Sequence, residues 1–362
     1  MRRVSKGMAR DSKVIPLPFK ARKGIVKPYR HPVTRGGEFT SLELCAGAGG
    51  QAIALERAGF RHIALVELDR HACSTLRENS ARHKLQWNVL EEDLRHFSGA
   101  PYANRVDLLA GGLPCPPFSR AGKQFGEDDE RNLWPTALRI IEEIRPKTVM
   151  FENVRGILDT VFEDFRQKFQ HASQLAEYNT AWELLNASDF GVPQLRPRVV
   201  FIAIRKDAAS AWSWHDRRST EPQTVGEALY DLMAESGWTG AKRWAERADF
   251  IAPTIVGGSH KHGGPDLGPV RARNEWMSLD VDGGGIADSP PNRRHAGSPK
   301  LTLRMVARLQ GFPDGWEFSG GKTAAYRQIG NAFPPPAAEA VARRIAELLR
   351  ASSRSSSLTQ SG

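Results

Sequence analysis

Between Leu108 and Phe125 the chain reads LLAGGLPCPPFSRAGKQF, which sets one cysteine, Cys115, among Pro114, Pro116 and Pro117 at the end of an apolar run. Proline fixes φ and removes a backbone donor, so the thiol is held stiffly at the exit of a candidate strand. A structural cysteine needs no such bracing, because it packs as a small hydrophobe. The arrangement suits a nucleophile, a thiolate presented to something beyond the strand end. Other reactive side chains fall at similar places. Glu67 lies near the end of the run HIALVELD, Asp93 follows VLEE, and Glu152 with Asn153 follows TVMF.

Strands must carry these groups to a common edge. Phe39 to Cys45 predicts a buried strand, the following AGAGG a turn, and Gln51 to Ala58 a helix stopped by Gly59. Glycines in such a turn let a ligand approach the backbone, and the helix N-terminus offers free N–H groups; a tight turn alone is the plainer reading. Glu67 stands twenty residues after Gly47, an offset at which an acid accepts hydrogen bonds from ribose hydroxyls. Asp69 is a competitor for that role, or a cap for the next helix. Val106 to Ala110 predicts a fourth strand leading into Pro114 and Cys115, and TVMF a fifth. Leu133, Ala137, Ile140, Ile141 and Ile144 recur at helical spacing, as a core-facing helix does. The predicted class is therefore α/β, a doubly wound, mostly parallel sheet with ligands beyond its carboxyl ends. The turn reads G-A-G-G rather than G-x-G-x-x-G. That spacing lacks the pyrophosphate cradle, which counts against an NAD-dependent oxidoreductase. It favours a cofactor with adenosine but no pyrophosphate, such as S-adenosyl-L-methionine.

Composition narrows the setting. The 362 residues carry a net charge of +10, and residues 1–38 hold eleven Lys and Arg against two acids. This arm is either a solvated tail or a nonspecific anchor for nucleic acid. No apolar run approaches the roughly 18–20 residues of a membrane span. Three cysteines without C-x-x-C spacing argue against zinc and disulfides and for a reducing, cytoplasmic setting. The terminal ASSRSSSLTQSG is expected to fray. Residues 206–292 contain Trp212, Trp214, Trp238, Trp244 and Trp276, expected as core, and a glycine-rich patch with Thr254, His260, Lys261, His262, Arg271 and Arg273. That patch reads as a solvated loop or as a surface that reaches a DNA groove. His260 and His262 lack the further partners of a zinc site, so no metal is expected.

The segments LELCAGAGG, GGLPCPPFS, FENVRG, NASDFGVPQLRPRVVFIAIR, LTLRMVARLQGFPD and YRQIGNAFPPPAAEAV occur in that order. Together they resemble the ordered motifs of the DNA (cytosine-5)-methyltransferases of bacterial restriction–modification systems, over about residues 39–205 and 293–350. The resemblance implies an S-adenosylmethionine-dependent methyltransferase fold with a smaller target-recognition domain. In that scheme 1–38 is a flexible arm, 39–205 the catalytic domain and 206–292 the target-recognition domain. Residues 293–350 return to the small domain and end in a C-terminal helix that completes the catalytic domain, and 351–362 form a disordered tail.

The resemblance also implies roles. Cys115 corresponds to the nucleophile and Glu152 to the acid at the cytosine N3 edge. Arg196 and Arg198 match the paired arginines of the catalytic set, with Arg198 holding the base carbonyl. Cys45, Gly47 and Gly49 belong to the methionine-side turn, Glu67 matches the ribose-binding acid and Asp93 the adenine contact, with Leu68 and Leu94 also in the cofactor pocket. Pro114, Asn331 and Ala332 complete the cofactor pocket. Ser119, Arg120 and Lys123 lie on a loop expected to close over the base and touch phosphate, joined on the DNA side by Thr254, Lys261, Arg271 and Arg273. The chain departs from the family pattern at Cys45, where Phe is usual, at Pro116, where Gln follows the nucleophile, and at Phe333, often Val.

The expected activity is methyl transfer to C5 of a flipped-out cytosine within a specific double-stranded DNA sequence through a covalent Cys115 adduct. The expected setting is a cytoplasmic, nucleoid-associated monomer without membrane contact, whose cognate restriction endonuclease is not physically bound. The alternatives are a tRNA cytosine-5 methyltransferase, disfavoured by the Trp-rich insert, and a non-catalytic DNA-binding regulator, disfavoured by the intact Cys115, Glu152 and Arg198.

Overall fold

The computed structural model describes residues 37–114, 132–214, 220–258 and 264–359. Strand β1 (Phe39–Leu44) lies between β2 (Phe60–Glu67) and β4 (Leu108–Gly112), parallel to both. Beyond β2 lies β3 (Val89–Glu91), and beyond β4 lies β5 (Thr148–Val154). The sheet is completed by β7 (Pro197–Arg205), antiparallel to both neighbours, and the edge strand β6 (Tyr178–Asn186), giving the order β3-β2-β1-β4-β5-β7-β6. The direction of winding reverses between β1 and β4. Their carboxyl ends therefore flank a crevice, the place where doubly wound sheets bind ligands.

Alternation along the strands builds the two covering layers. Leu42, Leu44, Leu109, Val149, Phe151, Val199 and Phe201 pack with α3 (Trp134–Ile144), the helix expected from its apolar spacing, and with Phe165 and Phe169 of α4 (Glu163–Gln170). Leu108, Ala110, Met150, Val200, Ile202 and Ile204 face the other way. They meet Ala54, Leu55 and Ala58 of α1 (Gly50–Ala58) and Ala338, Val341, Ala342 and Ile345 of α10 (Pro335–Thr359).

Two expectations shift. The fourth strand runs Leu108–Gly112, two residues further along than Val106 to Ala110; just before it Asp107 N donates to the Thr40 carbonyl at 3.1 Å and the Asp107 carboxylate accepts from Thr40 N at 2.7 Å. The helix α10 continues to Thr359, so the expected tail begins as helix; Leu348 and Leu349 pack in the core just before it, and the Ser353 hydroxyl donates to the Leu349 carbonyl at 3.0 Å.

A third core joins the glycine turn to the second half of the chain. Ala46, Ala48, Ile53, Leu76 and Trp87 pack in one cluster with residues of α5 (Val225–Ala234), α6 (Ala241–Arg247), α8 (Leu303–Leu309) and α9 (Lys322–Asn331). Trp238, Trp244 and Trp276 are buried in that cluster, as core tryptophans. Among the described residues no helix is long and apolar enough to cross a membrane, and no group of three His, Cys, Asp or Glu could hold a metal ion.

Candidate active site

The turn after β1 uses its glycines for their conformational freedom. Gly47 (φ +55°) and Gly49 (φ +86°) occupy the left-handed region, which side chains disfavour. A Cβ at Gly49 would lie 2.9 Å from Leu76 Cδ2 and 3.1 Å from the Trp316 ring, whereas one at Gly47 would meet nothing within 4 Å. The turn is packed from behind and open over Gly47. Trp316 also donates from Nε1 to the Ala48 carbonyl at 3.0 Å.

Glu67, at the end of β2, is fixed by backbone donors. Its Oε2 accepts from Gly47 N (2.7 Å), and its Oε1 accepts from Leu68 N (2.8 Å) and Asp69 N (2.7 Å). Burial pushes its carboxyl pKa up, and these three N–H groups oppose the shift. Asp69 takes the capping role: its Oδ1 accepts from His71 N (2.8 Å) and Ala72 N (3.0 Å) at the start of α2 (Arg70–His83). Leu68 is 62% exposed, an apolar side chain open to solvent beside the fixed carboxylate. Asp93 is gripped by Arg95, with Nε at 3.0 Å and Nη2 at 2.5 Å from its two oxygens, which lowers its pKa to about 2. Leu94 is buried in the sheet core. Cys45 adopts φ +51°, and burial followed by the Glu67 charge pushes its thiol pKa up.

The other wall of the crevice is the end of β4 and β5. Gly112 and Glu152 are register partners. Asn153, fully buried, donates from Nδ2 to the Leu113 carbonyl at 3.1 Å and accepts from Val154 N at 2.9 Å. That bond ties β5 to the residue just before Pro114. Glu152 Oε1 lies 2.7 Å from Arg198 Nε, with both side chains nearly buried. Burial raises the Glu152 pKa, while Arg198 first and Arg196 second pull it back. Arg198 also donates from Nη1 to the Pro197 carbonyl at 2.8 Å.

Arg196 is fully buried, and its terminal nitrogens donate to the carbonyls of Ile255 (2.6 Å), Gly330 (2.6 Å) and Ala332 (3.1 Å). Ala332 borders the glycine turn, since a Cβ on Gly50 would lie 3.2 Å from Ala332 Cβ. Asn331 donates from Nδ2 to the Gly258 carbonyl at 3.2 Å. Thr254 donates its hydroxyl to the Leu195 carbonyl. Arg271, on α7 (Val270–Met277), is exposed and 3.4 Å from Glu275, and Arg273 is half-buried on the same helix. Cys115, Ser119, Arg120, Lys123 and Lys261 lie outside the described residues. Sequence reasoning passed over Trp316, Gln194 and Gln310. The two glutamines stand inside recognisable segments, yet a buried glutamine leaves no mark in apolar periodicity.

A family model, C-5 cytosine-specific DNA methylase, matches residues 39–347. The chain is 50% identical over 315 residues to the Type II methyltransferase M.NgoMIV of Neisseria gonorrhoeae, spanning 86% of this chain and 99% of that one. It is also 50% identical over 312 residues to the Type II methyltransferase M.NaeI of Lentzea aerocolonigenes, spanning 84% and 74%. In fold it is similar to a variant of Spodoptera frugiperda DNMT2 (TM-score 0.57, 17% identity, 85% and 99% covered). The S. pombe Dnmt2 methyltransferase is comparably similar (TM-score 0.55, 18% identity, 86% and 98% covered). The chain belongs to the C-5 cytosine-specific DNA methylase family and is a DNA (cytosine-5)-methyltransferase. Methyltransferases of this kind and fold depend on S-adenosylmethionine.

Proposed function

We propose that this chain transfers a methyl group from S-adenosyl-L-methionine to C5 of a flipped-out cytosine in one duplex DNA sequence, and so protects that sequence from a companion nuclease. The protective role is supported by the relatives, which are Type II methyltransferases. The chemistry is carried chiefly by one observation: a nearly buried Glu152–Arg198 pair beside the exit of β4, which runs on toward Cys115.

The residues present fit the cofactor. Open space over Gly47, the fixed carboxylate of Glu67 and the exposed Leu68 suit an amino-acid tail, a ribose and an apolar ring face in turn. Glu67 would hold the ribose, Leu68 the adenine face and Asp93 the adenine edge. The bound cofactor supplies an electrophilic methyl group on sulfonium.

Cytosine C5 is a weak nucleophile until a thiolate adds to C6. In our reading Cys115 forms that bond, and electron density moves to C5 and toward N3. Glu152, biased by burial toward its protonated form, shares its proton with N3. Arg198 opposes the charge that grows on O2. After C5 is methylated a base removes the C5 proton, the C5–C6 double bond re-forms and Cys115 departs as thiolate. Flipping the base costs a few kcal/mol of lost stacking. Contacts from Ser119, Arg120, Lys123, Thr254, Lys261, Arg271 and Arg273 would offset it, with residues 206–292 reading the target.

The test is methyl transfer from labelled S-adenosylmethionine to a diverse duplex pool, with modified cytosines mapped at base resolution. One sequence context modified at C5 is expected, and none with Cys115→Ser. Appreciable product from that variant would remove the covalent route.

A further inference from the structure

We propose that Arg196 is a positioning residue that joins the cofactor side of the crevice to the segment 252–258. Its guanidinium has a fork of donors, and the structure shows where they go. The helix α9 ends at Asn331 and leaves its last carbonyls without intrahelical partners, at the negative end of the helix dipole. Arg196 Nη2 satisfies two of the carbonyls at that end, Gly330 O at 2.6 Å and Ala332 O at 3.1 Å. Its Nη1 reaches the other way to Ile255 O at 2.6 Å.

Gln194, two residues earlier on the same arm and fully buried, repeats the pattern. Its Nε2 donates to Leu309 O, the last residue of α8, at 3.1 Å and to Gln310 Oε1 at 2.8 Å. Its Oε1 accepts from Ile255 N at 2.9 Å. Gln310 Nε2 then donates to Ala332 O at 2.7 Å. One short arm thus caps two helices and fastens both to residue 255.

The consequence lies in what those ends touch. Ala332 and Phe333 abut Gly50, the first residue of α1: a Cβ there would be 2.7 Å from Phe333 O. A Cβ on Gly330 would be 2.5 Å from Gly257 Cα. The end of α9 is wedged between the glycine turn and residues 255–258, and Arg196 holds the wedge. This inference rests on the cofactor reading of the glycine turn. A lysine at 196 keeps the charge but has one compact ammonium in place of the fork.

The experiment compares Arg196→Lys with the unaltered enzyme and with Arg198→Lys. Binding of S-adenosylhomocysteine is measured by calorimetry, DNA binding by anisotropy at fixed salt, and the chemical step by single turnover at saturating ligands. For Arg196→Lys we expect about tenfold weaker binding of both ligands, a smaller loss in the chemical step than Arg198→Lys shows, and a thermal midpoint within a few degrees. A collapsed chemical step with unchanged cofactor affinity would make Arg196 a base-contacting residue and overturn the proposal, as would a lowered midpoint with both affinities intact. If Arg196→Lys does not fold, Arg196→Gln serves: its single amide cannot reach all three carbonyls that the fork holds, so both affinities should fall severalfold, while unchanged affinities would overturn the proposal. Arg198→Lys should slow the chemical step alone. Failure there would count against the catalytic reading and leave the Arg196 result standing.

Discussion

Glu152 and Arg198 meet at 2.7 Å across two antiparallel strands, each displaced by two residues from the other's register partner. Glu152 is opposite Val200, and Arg198 is opposite Val154. Because side chains alternate along a strand, this diagonal brings both onto one face at the crevice end of the sheet. A charge so nearly buried needs its partner, so each holds the other in place.

Glu152→Gln tests what the pair does. The amide keeps the shape and can still face Arg198, but it has no carboxylic proton to share. We expect the chemical step to fall by about a hundredfold or more, the usual weight of a positioned acid, with S-adenosylhomocysteine affinity unchanged. Single-turnover methyl transfer beside calorimetry separates the two. An unaltered chemical step would remove Glu152 from the mechanism.

The glycine turn offers a paired prediction. Gly49→Ala would combine positive-φ strain with a Cβ 2.9 Å from Leu76, and should destabilise the fold by about 2–4 kcal/mol. Gly47→Ala meets no neighbour, so only the strain of about 1–2 kcal/mol remains. Its methyl would occupy the open space assigned to the cofactor, and affinity should fall more than stability does. Urea unfolding and calorimetry on both variants check the contrast, which a Gly47→Ala protein with full cofactor affinity would refute.

The elements were legible where local pattern decides them. Apolar strands, the Gly59 stop and the periodic run from Leu133 to Ile144 all depend on near neighbours, and the helix Gly50–Ala58 does end at Gly59 through N–H bonds to Leu55 and Glu56 carbonyls. Positions set by distant partners were not legible. Nothing local distinguishes Arg196, buried under carbonyls from residues 255, 330 and 332, from Arg198, paired with Glu152. Leu94 likewise stands beside a candidate ligand group, but its side chain belongs to the sheet core. The serine-rich end reads as a tail, yet a helix already anchored by Leu348 and Leu349 carries it onward.

His62 predicts a pH limb. It is buried against Ala52 O (Nε2, 2.9 Å) and Ser41 Oγ (Nδ1, 3.1 Å), and burial lowers its pKa from 6.5 to about 4. The unfolded chain takes up this proton below pH 6.5, while the folded chain resists until about pH 4. The His62 contribution to stability is therefore full above pH 6.5 and falls as pH drops toward 4, by about 3 kcal/mol in all. Denaturant midpoints across that window should slope downward with acid, and His62→Gln should flatten the slope. Parallel profiles for the two proteins would refute the assignment.

The last prediction concerns the thiols. Alkylation needs thiolate, and two of the three cysteines are held away from that form. Burial pushes Cys73 up to about 12, with its Sγ 3.4 Å from the Glu67 carbonyl, and burial with the Glu67 charge pushes Cys45 up as well. A nucleophilic Cys115 should therefore be the one thiol that iodoacetamide modifies quickly at neutral pH. Peptide mapping over time should show Cys115 labelled first, with methyl transfer lost in step. Cys45→Ser and Cys73→Ser should keep most of the activity and the fast phase, and Cys115→Ser should lose both. Fast labelling at Cys45 or Cys73 would show that burial does not protect them and that thiol reactivity does not mark the nucleophile in this enzyme.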